Sequence, residues 1–385
     1  MALSRALSAF CVIFIAGATA LTGCASTTTL QVTSTPIPGV SGKPASFDDV
    51  EIDQVAHRIY VADRTNSGVD VLDVSTPVAS FVKTIHLSAA PSGLALAPDL
   101  GQLFAGLASG SVAVVDTQTD AVVAEIKTGA KSVDLLDYSR DAQIVLAGSP
   151  ADQVVTSIST ATGKVLSTAK IGKSVEQPRY DAANQTAYVS VPDLDALVKF
   201  DPMTGAVTGQ VKLAGCSPRG LAINPAAGSA MVACSRSAMS VDLASGQTQV
   251  FKRATDGDVV AYDAAIDRFL IATPQIVFMF GGNPIGTISS VVTPAGKAAV
   301  YDETNDLVYT TDPRSGTAGL TAFKMDGTRP VAPLADFITS VWPIGAFIVV
   351  VCAAMLVFAR VADPIRRRQR AEAAEPVPVS RASRP

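Results

Sequence analysis

Between residues 47 and 327, short apolar or alternating runs are separated by turns rich in Gly, Asp, Asn, Ser and Thr. The stretch from His57 to Thr76, H-R-I-Y-V-A-D-R-T-N-S-G-V-D-V-L-D-V-S-T, shows the unit. Arg58 to Ala62 is β-rich, and Asp63 to Gly68 carries residues that tolerate tight turns. Val69, Val71 and Val74 give a second run its apolar positions, and Asp73 to Pro77 turns the chain again. A helix would space its apolar residues near 3.6; these segments alternate instead, which predicts strands.

The unit repeats. Tyr60, at the centre of its strand, aligns with Phe104, Val145, Tyr188, Met231, Leu270 and Tyr309, at intervals of 39 to 44 residues. Four copies place an Asp seven positions earlier, at Asp53, Asp181, Asp263 and Asp302, and Asn224 takes that place in a fifth. A second series, Asp73, Asp116, Asp201 and Asp242, closes a later strand before a small turn. Both series read as turn carboxylates that accept backbone N–H bonds. A period near 40 with several short strands per copy predicts an all-β propeller; seven copies are visible, the sixth the least regular, so seven blades are expected and six or eight are the alternatives. The blades divide at 42–87, 88–129, 130–172, 173–215, 216–255, 256–292 and 293–327. The last supplies three strands, so the segment Leu30 to Gly39 is expected to complete it and hide its edge.

Tyr60-Val61-Ala62-Asp63 and Tyr188-Val189-Ser190-Val191, set in this frame, resemble the YVTN-type β-propeller repeat across residues 40–327, although Thr-Asn follows Tyr-Val in neither copy. The resemblance implies a propeller fold and a place outside the bacterial cytoplasm, and it names no single activity. Similar propellers include metal-dependent lactonases and quinone-cofactor enzymes. An enzyme of that kind would draw on channel carboxylates such as Asp193 and Asp195.

The two ends carry signals of a different kind. Residues 1–23 combine Arg5 with an apolar core from Ala6 to Ala20, as in a secretory leader. Leu21-Thr22-Gly23-Cys24 resembles the lipobox of bacterial lipoproteins, which implies lipidation of Cys24. Residues 24–29 form a polar tether, the propeller is expected over 30–327, and 328–336 is a linker. Residues 337–359 are uncharged and apolar over 23 positions, enough for a transmembrane helix. Seven Arg against three acids follow in residues 360–385. The positive-inside rule puts this tail in the cytoplasm and the propeller on the extracytoplasmic face of the cell membrane.

Charge and composition narrow the chemistry. The chain has 385 residues, 17 % charged and 48 % hydrophobic, with net charge −4. Its basic tail leaves the rest of the chain acidic, which argues against nucleic acid as a partner. The two His, His57 and His86, lack any surrounding motif, and no Cys/His cluster has zinc spacing, so no catalytic residue, metal or cofactor is assigned. Loops at one end of a propeller channel usually carry its function. The polar residues there that break the repeat are Asp63, Arg64, Asp152, Asp193, Asp195, Arg219, Arg236 and Arg314, and these are the candidates for contacting a ligand or partner. Cys216 and Cys234 fall in one copy, and an oxidising compartment permits a disulfide if the loop before the strand folds back. The antiparallel register sets Cys234 near Gly220. The expected function is a membrane-anchored binding or scaffolding module for an envelope protein or small ligand. The alternative is an extracytoplasmic enzyme of the lactonase or quinone type.

Overall fold

The computed structural model describes residues 32–39, 44–293, 296–314, 316 and 318–327. The leader, Cys24, the tether, the linker, the membrane span and the Arg-rich tail lie outside the described residues. Within them no helix is long and apolar enough to cross a membrane.

The described chain is a seven-bladed β-propeller. Each blade is a four-stranded antiparallel sheet, counted here from the axis outward. Blade 1 comprises Phe47–Asp53, Arg58–Asp63, Gly68–Asp73 and Ser80–His86; blade 2 comprises Pro91–Ala97, Gln102–Leu107, Ser111–Asp116 and Ala121–Lys127. Blade 3 runs through Leu136–Ser139, Ile144–Ser149, Val154–Ser159 and Val165–Lys170, and blade 4 through Pro178–Asp181, Thr186–Val191, Ala196–Phe200 and Val207–Lys212. Blade 5 holds Pro218–Asn224, Ser229–Cys234, Ser237–Asp242 and Thr248–Phe251, and blade 6 holds Val260–Asp263, Arg268–Ala272, Ile276–Gly281 and Gly286–Val292. Blade 7 takes three strands from the end of the domain, Ala299–Asp302, Leu307–Asp312 and Gly319–Phe323, and its outermost strand, Thr33–Pro36, from the beginning.

That last pairing closes the ring. Thr33 lies opposite Ala322 and Pro36 opposite Gly319. A Cβ at Gly319 would collide with the backbone of Thr35 and Pro36, so only glycine lets the first strand dock so closely. Each innermost strand packs against the next, and that of blade 7 returns to that of blade 1. Seven apolar clusters fill the seven seams between blades. Tyr60, Val69 and Val71 of blade 1, for example, pack on Leu94 and Leu103 of blade 2. Closure matters energetically because a sheet edge left unpaired exposes a row of backbone donors and acceptors.

Every blade has two ends. At the turn end, short turns join the first strand to the second and the third to the outermost. At the loop end, the second strand connects to the third, and one blade passes to the next. Both ends of the described domain leave at the turn end, from neighbouring strands of blade 7.

The recurring carboxylates are turn caps. Asp53, Asp181, Asp263 and Asp302 each accept backbone N–H bonds two or three residues on, and Asn224 does the same for Ala227. Ser139 caps the turn in blade 3 at 3.2 Å from Ala142 N–H. Blade 2 has Ala97 there and closes with a single 3-10 turn, Pro98–Leu100, instead. Asp73, Asp116, Asp201 and Asp242 cap the outer turns. These bonds favour the ionised form and hold the four carboxyls below the ordinary range.

The residue ending each inner turn adopts a left-handed conformation in all seven blades: His57, Gly101, Gln143, Gln185, Gly228, Asp267 and Asp306. His57 therefore occupies a structural corner. Two registers differ from expectation. In blade 3 Leu146, not Val145, matches Tyr60, because Ile144 pairs with Ser159 just as Arg58 pairs with Asp73. In blade 5 a bulge between Pro218 and Leu221 moves the partner of Cys234 from the neighbourhood of Gly220 to Pro218. The bulge brings Cys234 towards Cys216, and the two form a disulfide with Cα atoms 4.8 Å apart.

The central channel as candidate functional site

The innermost strands line the channel. Opposite Tyr60 and its six equivalents lie Glu51, Ala95, Asp137, Arg179, Ala222, Ala261 and Val300. Six of these seven line one cavity of about 410 Å³ that opens between the inner turns. The position mixes charged and small apolar side chains: three blades contribute Glu51, Asp137 and Arg179, and the Ala residues leave the room.

Arg179 holds this layer together. Its guanidinium donates to the carbonyls of Leu136 and Pro178 at 2.9 and 3.0 Å, and reaches past blade 5 to the carbonyl of Val260 at 3.4 Å. Asp137 lies 3.6 Å away and accepts the N–H of Tyr180. Burial, partly offset by Arg179 and that N–H, pushes the Asp137 carboxyl up to about 6. One turn of strand closer to the loop end, the amide oxygen of Gln177 accepts the N–H groups of both Leu221 and Val260, stitching blades 4, 5 and 6. Asp49 performs the same service between blades 1 and 2, accepting Leu94 N–H at 3.0 Å. Burial raises it to about 6 against the pull of Arg179 and its two N–H bonds. The Glu51 carboxyl has no hydrogen-bond partner among the described residues. Burial, reinforced by the neighbouring Asp49, pushes it up to about 8, so it carries its proton at neutral pH.

Three residues earlier in each blade, on the innermost strand or just before it, comes a second ring, at the loop end: Asp48, Ser92, Asp134, Glu176, Arg219, Asp258 and Lys297, one polar side chain per blade. Part of it is paired. Lys297 bridges Asp48 and Asp258, the latter at 3.3 Å. Arg64, from the loop between the second and third strands of blade 1, pairs with Asp48 at 2.8 Å and hydrogen-bonds Ser92. Burial, with Asp134 and Asp258 adding repulsion and Arg219 and Lys297 opposing it, pushes Glu176 up to about 7. Asp134 is raised for the same kinds of reason.

The solved structures similar to this chain include a named β-propeller domain. Kuenenia stuttgartiensis hydrazine synthase matches with TM-score 0.62 and 13 % identity over 74 % of this chain and 98 % of that one. The mitotic checkpoint complex matches at 0.61 and 10 % over 76 % and 90 %, and the WD40 β-propeller domain of Doa1 at 0.61 and 10 % over 77 % and 97 %. At such identities the likeness is one of fold. No family model and no curated protein sequence matches the chain.

The loop candidates separate on inspection. Arg219 belongs to the ring at the loop end, and Arg64 reaches into it from its loop to pair with Asp48. Asp63 is fully buried and caps its own loop through the N–H groups of Thr65 and Asn66. Asp152 accepts the N–H of Lys131 at 2.7 Å, tying two connections together. Asp195 adopts a left-handed conformation and accepts Ser217 and Gly215 N–H, holding the loop before blade 5. Asp193 and Arg236 are exposed, and Arg314 forks onto Asp312. Both Asp195 oxygens accept backbone N–H groups, and no three His, Cys, Asp or Glu among the described residues are placed to hold a metal ion. Glu51, Asp137, Arg179 and Gln177 escaped the sequence reading because they lie inside predicted strands. The signal was present: a charged residue opposite Tyr60, where the other copies have Ala or Val.

Proposed function

We propose that the propeller is a binding module held at the outer face of the cell membrane by lipid on Cys24 and a helix over 337–359, with an envelope protein or small ligand as its partner. The observation that supports this is the ring of seven polar side chains at the loop end, on the side of the channel opposite both described chain ends. Because both described chain ends leave at the turn end, the loop end is the end left free for partners in this reading. Arg64, Arg219, Arg236 and Lys297 are among the basic side chains offered there, and the acids of the ring set the complementary charge. Low net charge and paired ions suit recognition of a mixed-charge protein surface, where such groups set specificity and register more than raw affinity.

Two measurements test the reading. Externally added protease should cleave the propeller in intact spheroplasts, and only the combination of Cys24→Ser with truncation after residue 327 should release it from membranes. Proximity labelling from the propeller should mark a defined set of envelope proteins, and reversing the ring charges at Asp48, Arg64 and Lys297 together should remove part of that set. Cleavage only after the membrane is opened, or a labelled set indifferent to the ring, would overturn it.

A further inference from the structure

The cavity at the turn end is not used by the proposed partner-binding ring, and its chemistry points to a ligand of its own. We propose that it is a binding site for a neutral saccharide, with Glu51 and Arg179 as the hydrogen-bonding floor and Tyr138, Tyr180 and Tyr262 as the walls. This rests on the reading of the protein as a binding module but not on its anchors.

Three features carry the assignment. The first is size: about 410 Å³ lies within the roughly 300–1,000 Å³ of small-ligand pockets, room for one or two sugar rings. The second is the floor. Glu51 brings a carboxyl with no protein partner among the described residues, able to donate and accept at once when protonated. Arg179 spends three N–H bonds on carbonyls and keeps others for the cavity. Asp137 beside it, 3.6 Å away, balances its charge. The lining carries two charges of each sign, Arg140 and Arg179 against Asp137 and Asp141, so it offers little net charge to a free anion or a free cation. It matches vicinal hydroxyls, which need donors and acceptors side by side and bring no charge.

The third feature is the wall. Tyr138 stacks on Phe104 with centroids 6.4 Å apart, and its hydroxyl is held by Asp99 at 2.9 Å. Tyr262 leans on Phe269 at 4.7 Å, its hydroxyl held by Asp267 at 3.0 Å. Both rings are braced on one side and fixed at the tip, so they act as rigid platforms for the apolar C–H face of a sugar, at little entropic cost on binding.

The opening lies on the side from which both described chain ends leave, so the sugar has two possible sources, free in solution or displayed as a lipid headgroup. The test uses the purified full chain in phosphatidylcholine nanodiscs. Saturation-transfer NMR is run with a panel of neutral sugars (glucose, galactose, mannose, N-acetylglucosamine, lactose, maltose, trehalose), and again with galactosyl diacylglycerol added to the discs. Saturation transfer to a free sugar identifies a soluble ligand; transfer seen only with the glycolipid identifies a headgroup ligand. In either arm Glu51→Leu should weaken binding at least tenfold and Glu51→Gln by less than about threefold. Ala261→Leu fills the cavity while leaving the floor intact, and it should abolish binding in a chain whose melting curve is unchanged. No transfer in either arm, or binding that survives both Glu51→Leu and Ala261→Leu, overturns the assignment. Neither result bears on the protease and labelling tests of the partner-binding ring.

Discussion

Two positions on the same innermost strands, two residues apart, behave in opposite ways. At one, the blades carry Asp53, Ala97, Ser139, Asp181, Asn224, Asp263 and Asp302; at the other, Glu51, Ala95, Asp137, Arg179, Ala222, Ala261 and Val300. The first set faces a recurring backbone demand, a tight turn whose N–H groups need an acceptor, and six of seven side chains meet it in the same manner. The second set faces the channel, where no backbone group recurs to be satisfied, and the side chains diverge into acid, base and methyl. Repetition in a propeller thus marks what the fold needs, and departure from it marks where selection is free to act on something else.

The largest test of this contrast is Arg179→Met. It removes three bonds to carbonyls and strands Asp137 without its counter-charge, so urea unfolding should show a loss of about 3 kcal/mol. A loss under 1 kcal/mol would mean that the channel charges are not structurally coupled. On the repeated side, Asp302→Ala uncaps a turn and frees Asn305, which also bonds the carbonyl of Val74 in blade 1. The expected loss is about 2 kcal/mol. The same change at Asp116, whose turn is exposed, should cost much less.

Glu51 separates the two sets by pH. Its folded value of about 8 lies above the ordinary 4.5, so between the two the folded state keeps a proton that the unfolded chain has lost. Stability should therefore fall as pH rises through that window and level off above it. Glu51→Gln should stabilise the protein near pH 9 by on the order of 2 kcal/mol and change little near pH 4. Equal effects at both pH values would place the carboxyl in water. The smallest effect is at the turn corner: Gln185→Gly relieves a left-handed conformation and should gain about 0.5 kcal/mol once the added freedom of the unfolded chain is counted.

The fold was legible because the repeat is written in local signals. Period, alternation and turn residues all agree in most blades, and the seventh blade's missing strand pointed to the segment Leu30 to Gly39, within which Thr33–Pro36 is the strand found. The site was not, and the reasons are specific. Asp63, Asp152 and Asp195 looked available because they break the repeat in loops, yet each is committed to backbone N–H groups. Residues that bridge blades, such as Gln177 reaching Val260 across 83 positions, have no local signature.

Sequence alone showed a repeat near 40 residues with seven visible copies, the strand order within most of them and the acidic caps of most of their turns, since all of these depend on neighbours a few residues away. Only the tertiary structure decided which side chains meet at the axis. Bulges such as that at Pro218–Leu221 shift register locally, and the closed ring brings blades far apart in the chain into one channel, so the charge balance there is a property of the assembled circle.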